Sequence, residues 1–225
     1  FWKKQYVAFY VCCGLAMLTK GPIGYGFPAL IIILYFLCTK QPSALLHMKL
    51  HWGIPLALAV GLPWYFAMYA VHGQDFINGF LEVNNIIRFA APEHPGRNSL
   101  FFFIPVLIAG FLPWFGALGQ SVYHGFRIRG NEGKFLLFLN IWAWFVFLFF
   151  SVSKTQLLSY ILPMFPPLSI LAGVYVRDLF ASEKLDRLWS VLYILTGLAA
   201  ISAVLYFHAK VQGILPHPLL LPLIL

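Results

Sequence analysis

Apolar residues run along the chain in long blocks broken by short polar turns. The blocks cover 5–18, 23–38, 52–71, 100–123, 135–152, 158–176 and 188–207, and an incomplete eighth begins near 214. A helix needs about 20 apolar residues to cross the hydrocarbon core of a bilayer. The blocks lack strict alternation and are too long for barrel strands, so sheet is not expected. The pattern predicts an all-α fold, a polytopic transmembrane helix bundle of about seven to eight spans. The first two blocks are separated only by Thr19-Lys20-Gly21-Pro22. Glycine stops one helix and proline starts the next, which predicts a tight helical hairpin there.

Composition agrees with lipid as the solvent. Of the 225 residues, 61% are hydrophobic and 10% charged, and the mean hydropathy is +0.82. Soluble domains carry roughly 25% charged residues. The net charge of +8 does not point to nucleic acid, because the cations sit in short loops rather than on a polar helix face. Cys12, Cys13 and Cys38 lie in or at the ends of apolar blocks, with neither a disulfide framework nor metal-binding spacing. The chain begins Phe1-Trp2-Lys3-Lys4 and ends in an apolar run, which reads as one stretch, 1–225, of a longer transmembrane domain.

Cations in short loops encode orientation. One set of loops holds Lys3, Lys4, Lys40, Lys49, Arg127, Arg129, Lys134, Arg177, Lys184 and Arg187; the alternate set holds Lys20, Arg88, Arg97, Lys154 and Lys210. The first set should face the cytoplasm. The opposite face then carries one long loop, 72–99, and two short polar turns, 19–22 and 151–156. Phe76, Phe80, Val83 and Ile87 recur at helical spacing, which predicts an amphipathic surface helix over 75–89, with Asp75 as its cap. Taken singly, Lys20, Arg88, Arg97 and Lys154 are explained by snorkelling to the headgroups. Taken together, against the charge trend, they predict a site for a phosphate or pyrophosphate.

Three blocks of sequence point further. Gly14-Leu15-Ala16-Met17-Leu18-Thr19-Lys20-Gly21-Pro22 resembles the Thr-Lys-Gly turn of the polyprenyl-phosphate-sugar-dependent glycosyltransferases, the dolichyl-phosphate-mannose protein mannosyltransferase-like family. Leu62-Pro63-Trp64 leads through Arg88-Phe89 to Phe111-Leu112-Pro113-Trp114. Phe149-Phe150-Ser151-Val152-Ser153-Lys154 then runs on to Ser159-Tyr160-Ile161-Leu162-Pro163. The three occur in the family's order over about residues 5–176. The resemblance implies a GT-C-type membrane glycosyltransferase. Such enzymes move a sugar, with inversion, from a polyprenyl-phosphate carrier to a lipid, glycan or protein acceptor on the non-cytoplasmic face. The family's distribution implies a bacterial inner membrane with the active face periplasmic. By the same resemblance Arg88 matches the arginine that binds the carrier phosphate and Tyr160 a tyrosine near it. Lys20 and Lys154 match motif positions, and Arg97 and His94 complete the candidate substrate-binding set.

Two departures qualify what the resemblance implies. The aminoarabinose branch has a Glu-His pair where this chain has Asn84-Asn85, so neither a bound metal nor an aminoarabinose donor is expected. The family's acidic catalytic residue lies upstream of the Thr-Lys-Gly turn, so no catalytic base is assigned among Asp75, Glu82 and Glu93. Two rival readings are a transporter or flippase of an anionic lipid-linked substrate and a purely structural subunit. Transporters place polar residues at mid-membrane depth; here the charges lie at the ends of the apolar blocks.

Overall fold

A computed structural model describes residues 2–80, 99–112, 114–181 and 187–212. The described residues are predominantly helical, with no strand among them. The helices are α1 (Trp2–Lys20), α2 (Pro22–Cys38), α3 (Ala44–His47), α4 (Leu50–His72), α5 (Gln74–Phe76), α6 (Phe103–Gly110), α7 (Phe115–Arg127), α8 (Gly130–Val152), α9 (Phe165–Ala181) and α10 (Arg187–Gln212). A 3-10 helix, Leu158–Met164, leads into α9.

The hairpin expected at 19–22 is present. Gly21 adopts φ 75°, a conformation open to glycine, and its N–H donates to the Met17 carbonyl at 2.9 Å. Pro22 occupies the first turn of α2, where its missing N–H costs nothing. The Thr19 hydroxyl donates back to the Ala16 carbonyl at 2.9 Å.

The helices form two packed groups. In the first, α1 lies against both α2 and α4. Small residues set the α1–α4 approach: Gly53, Ala57 and Gly61 are buried on α4, and a Cβ on Gly53 would overlap the Tyr10 ring. The Tyr65 hydroxyl of α4 ties the pair by donating to the Met17 carbonyl at 2.7 Å, and the Tyr10 hydroxyl of α1 donates at 2.8 Å to the carbonyl of Met48, just before α4. In the second group α7, α8 and α9 pack mutually around Leu118, Leu136, Leu139, Val146, Leu168 and Leu171, and α10 lies on α7. The groups meet where α2 packs on α8. Aromatic edges fill that seam: Phe27 lies 5.2, 4.8 and 5.5 Å from the rings of Phe145, Phe149 and Phe150.

Three expectations change. Among the described residues three helical stretches are long and apolar enough to cross a membrane: Leu50–His72, Gly130–Val152 and Leu158–Ala181. A fourth is added if α6 and α7 count as one bent span. The seven to eight spans expected from hydropathy are therefore not established. The 17 residues of α2 rise about 25 Å at 1.5 Å each, short of the ~30 Å core. The block 100–123 is not one helix, for α6 ends at Gly110 and α7 starts at Phe115. Asp75 is not a cap either. Gly73 holds the N-cap of α5, without a side-chain cap, and Asp75 lies in its first turn. The amphipathic helix expected over 75–89 is described only as far as residue 80, where Phe76 and Phe80 stack at 5.3 Å against Trp64 and Tyr65. Its remainder, 81–89, lies outside the described residues, as does the start of an eighth block near 214.

At one end of the second group, charged residues join three helices. His124 Nε2 of α7 lies 2.8 Å from Asp178 Oδ2 of α9, and Arg177 bonds both Asp178 at 2.6 Å and Glu132 of α8 at 2.7 Å. Arg177 and Glu132 are half-exposed, whereas His124 and Asp178 are each only 30% exposed. Exposed pairs contribute little. Glu132→Gln should thus move the thermal midpoint by less than about 2 °C. Asp178→Ala, which strips two partners at once, should lower it by ~2–6 °C. Thermal unfolding of both variants in one detergent checks the order.

Candidate functional site: a cavity at the helix seam

The seam between the two groups encloses a cavity of about 720 Å³. This lies within the range of small-molecule sites, roughly 300–1,000 Å³. Its walls come from α1 and α2 on one side and from α8 and the 3-10 helix on the other. Most of the lining is apolar, including Phe27, Ile31, Phe138 and Trp142. The polar lining residues are Lys20, Ser153, Ser159 and Tyr160.

Local structure explains how each reaches the cavity. Lys20 is the last residue of α1, set beside the hairpin turn by Gly21 and Pro22. Its position at a helix C-terminus suits a cation. Gly24 brings α2 against α1 just beyond the turn, and a Cβ there would lie 2.2 Å from the Ala16 carbonyl oxygen. Tyr160 sits in the 3-10 helix, half-buried, with its ring 4.9 Å from Phe150 and its N–H donating to the Leu157 carbonyl at 3.0 Å. Ser153 is buried, and its hydroxyl donates to the Thr155 carbonyl at 2.9 Å.

The structure thus brings together two of the six candidate residues, Lys20 and Tyr160, from turns 140 positions apart in sequence. Lys154 is exposed and does not line the cavity. It stands at a bend between Ser153 and Thr155, both buried. Arg88, His94 and Arg97 lie outside the described residues, as do Asn84 and Asn85. The sequence reading missed Ser153 and Ser159 as lining residues and Gln156 as a structural tie. Serine beside an apolar block carries no signal that tells a cavity wall from a solvated turn.

Chemically, the cavity pairs an ammonium and several hydroxyl donors with an apolar body. That suits an anionic head on a hydrocarbon chain.

No family model matches the chain. Similarity to individual proteins is extensive. The undecaprenyl phosphate-alpha-4-amino-4-deoxy-L-arabinose arabinosyl transferase of Edwardsiella ictaluri is 32% identical over 215 residues, 95% of this chain and 38% of that protein. An enzyme of the same name from Proteus mirabilis is 35% identical over 86% of this chain and 35% of its own length. The crystal structure of ArnT from Cupriavidus metallidurans bound to undecaprenyl phosphate superposes with a TM-score of 0.76 at 30% identity, covering 96% of this chain and 37% of that one. The chain belongs to this family of GT-C membrane glycosyltransferases. It spans a little over a third of the length of the relatives it matches. Superposition on the apo ArnT structure gives a TM-score of 0.72, so the GT-C arrangement of these helices matches both forms. In this chain the Thr-Lys-Gly hairpin, through Lys20, and the stretch after α8, through Ser153, Ser159 and Tyr160, line one cavity.

Proposed function

We propose that the intact protein is an integral membrane glycosyltransferase that moves a sugar from a polyprenyl-phosphate carrier to a lipid, glycan or protein acceptor. The observation that carries this reading is the seam cavity, where Lys20 and Tyr160 stand at the polar part of an otherwise apolar chamber. An isoprenoid phosphate needs both parts. In the transfer the carrier phosphate is the leaving group. Cations and hydroxyl donors held in place stabilise the charge that develops on it. Lys20 supplies a point charge, and Tyr160 and Ser159 supply hydroxyl donors; the Ser153 hydroxyl is already committed to the Thr155 carbonyl. Arg88, Arg97 and His94 belong to the proposal through sequence, Arg88 as the bidentate phosphate ligand, whereas Lys154, the remaining sequence candidate, stands outside the cavity. The active face is the non-cytoplasmic one, since these residues share the loops poorer in cations. Asn85 in place of the branch histidine supports chemistry without a resident metal and leaves the donor sugar open. The relatives are named as transferases, which favours this reading over a transporter of the same lipid.

Binding of radiolabelled undecaprenyl phosphate to purified full-length protein tests it. Saturable binding is expected, with Arg88→Ala weaker by roughly 10- to 100-fold, the loss of a charge-assisted pair of ~1.5–3 kcal/mol. Binding indifferent to Arg88 would leave a snorkelling arginine and defeat its assignment.

A further inference from the structure

Gln156 stands where the chain leaves α8. Its carboxamide joins the backbone of Ser99, 57 positions away, to the end of α8. Oε1 accepts from the Ser99 N–H at 3.2 Å, and Nε2 donates to the Ser99 carbonyl at 3.1 Å and to the Ser151 carbonyl at 3.1 Å. The Phe150 carbonyl lies at 3.5 Å. An amide nitrogen carries two hydrogens, so the two shorter bonds already use them. Both stretches are organised locally. Phe101 N–H donates to Ser99 Oγ at 3.2 Å and Phe102 N–H to the Ser99 carbonyl at 3.0 Å, which starts the turn into α6. Phe150 and Ser151 belong to the last turn of α8. Ser159 and Tyr160 follow Gln156 within four residues, and both line the cavity.

We propose that Gln156 is a positioning residue of the cavity: by clamping Ser99 to the end of α8 it fixes where Ser159 and Tyr160 present their hydroxyls to the bound phosphate. The inference rests on the carrier-phosphate reading. Chemistry explains the residue type. The clamp needs one acceptor and two donors on one planar group at this reach. Asparagine is a methylene shorter. An ionised glutamate keeps the acceptor but sets an oxygen against the carbonyls of Ser99 and Ser151. A protonated glutamate regains one donor. Gln156→Glu therefore makes the clamp titratable. The opposing carbonyls disfavour the ionised form, so its pKa rises above the ordinary ~4.3 of glutamate and the clamp re-forms in part, with one of its two donors, as pH falls.

The test uses full-length protein in nanodiscs: wild type, Gln156→Glu and Gln156→Ala, each from pH 8 to pH 5. Two readouts are taken as ratios to wild type at the same pH: affinity for undecaprenyl phosphate and hydrogen exchange of the amides at 157–161. At pH 8 both variants should bind up to about tenfold more weakly, as expected for losing a half-buried carboxamide that makes three hydrogen bonds, ~1.4 kcal/mol. Their 157–161 amides should exchange faster. Toward pH 5 the glutamate variant should recover in part in both readouts, and the alanine variant in neither. Unchanged exchange in both variants would overturn the clamp without reference to any ligand. Faster exchange with unchanged affinity, or no recovery of the glutamate variant at pH 5, would overturn its service to the site. A wild type that does not bind, with exchange still responding, would sink the carrier-phosphate reading instead, and with it the clamp's assigned purpose.

Discussion

Lys20→Ala in the full-length protein should weaken undecaprenyl phosphate binding by roughly 10- to 100-fold, because it deletes a charge-assisted contact of about 1.5–3 kcal/mol in an apolar setting. Its cost in stability should be small. The side chain is exposed, and its only structural service is a cation at the C-terminus of α1. The thermal midpoint should therefore move by less than about 3 °C. Lys20→Arg keeps the charge but replaces a compact ammonium with a planar fork, so it should restore part of the affinity. Lys154→Ala is the internal control. It removes the same charge from a residue outside the cavity, and long-range attraction alone should cost less than about threefold at physiological salt. Equal losses from Lys20 and Lys154 would mean that the two act as a diffuse basic surface, not as a site.

That contrast also shows where the sequence was legible. Topology placed Lys20 and Lys154 on one face, and nothing in a count of loop cations separates them. What separates them is the backbone. Gly21 and Pro22 set Lys20 at the mouth of a hairpin, and both residue types can be read directly. Lys154 lies at the bend that follows α8, between the buried Ser153 and Thr155. Which residues that bend turns inward depends on how α8 ends. The two Leu-Pro-Trp motifs give the same lesson. Pro63 lies inside the continuous α4, while the helical path breaks between Gly110 and Phe115, around the second motif. Locally the tripeptides are alike. The first is held in a helix packed along α1 by Gly53, Ala57 and Gly61 and tied by the Tyr65 hydroxyl to Met17. No such partner is visible in a hydropathy profile, so a continuous apolar block hid the break. The clamp at Gln156 was equally hidden, since its partner is 57 positions away and is bound through backbone atoms that every residue possesses.

Two glycines in α2 supply the sharpest test of how the hairpin holds the site. Gly24→Ala should destabilise the protein by about 1–3 kcal/mol and also weaken carrier binding, whereas Gly26→Ala should do neither. A Cβ on Gly24 would lie 2.2 Å from the Ala16 carbonyl oxygen, 2.4 Å from its carbon and 2.9 Å from the Met17 nitrogen. These are backbone atoms of a helix, which cannot turn aside as a flexible side chain does. The first turn of α2 must then move away from the last turns of α1. Ala16, Lys20 and Gly24 all line the cavity, so that motion reshapes the wall beside Lys20. A Cβ on Gly26 meets nothing within 4 Å. Alanine there removes a helix-interior glycine, which is worth up to ~1 kcal/mol in favour of the variant. Thermal unfolding and undecaprenyl phosphate binding, measured on both variants in the same nanodiscs, decide the matter. If Gly24→Ala matched wild type in both, α1 and α2 would not be in direct backbone contact, and the close hairpin that sets Lys20 in the cavity wall would be wrong. If it lost stability but kept full affinity, the hairpin would be right and Lys20 would not be reading the carrier phosphate from it.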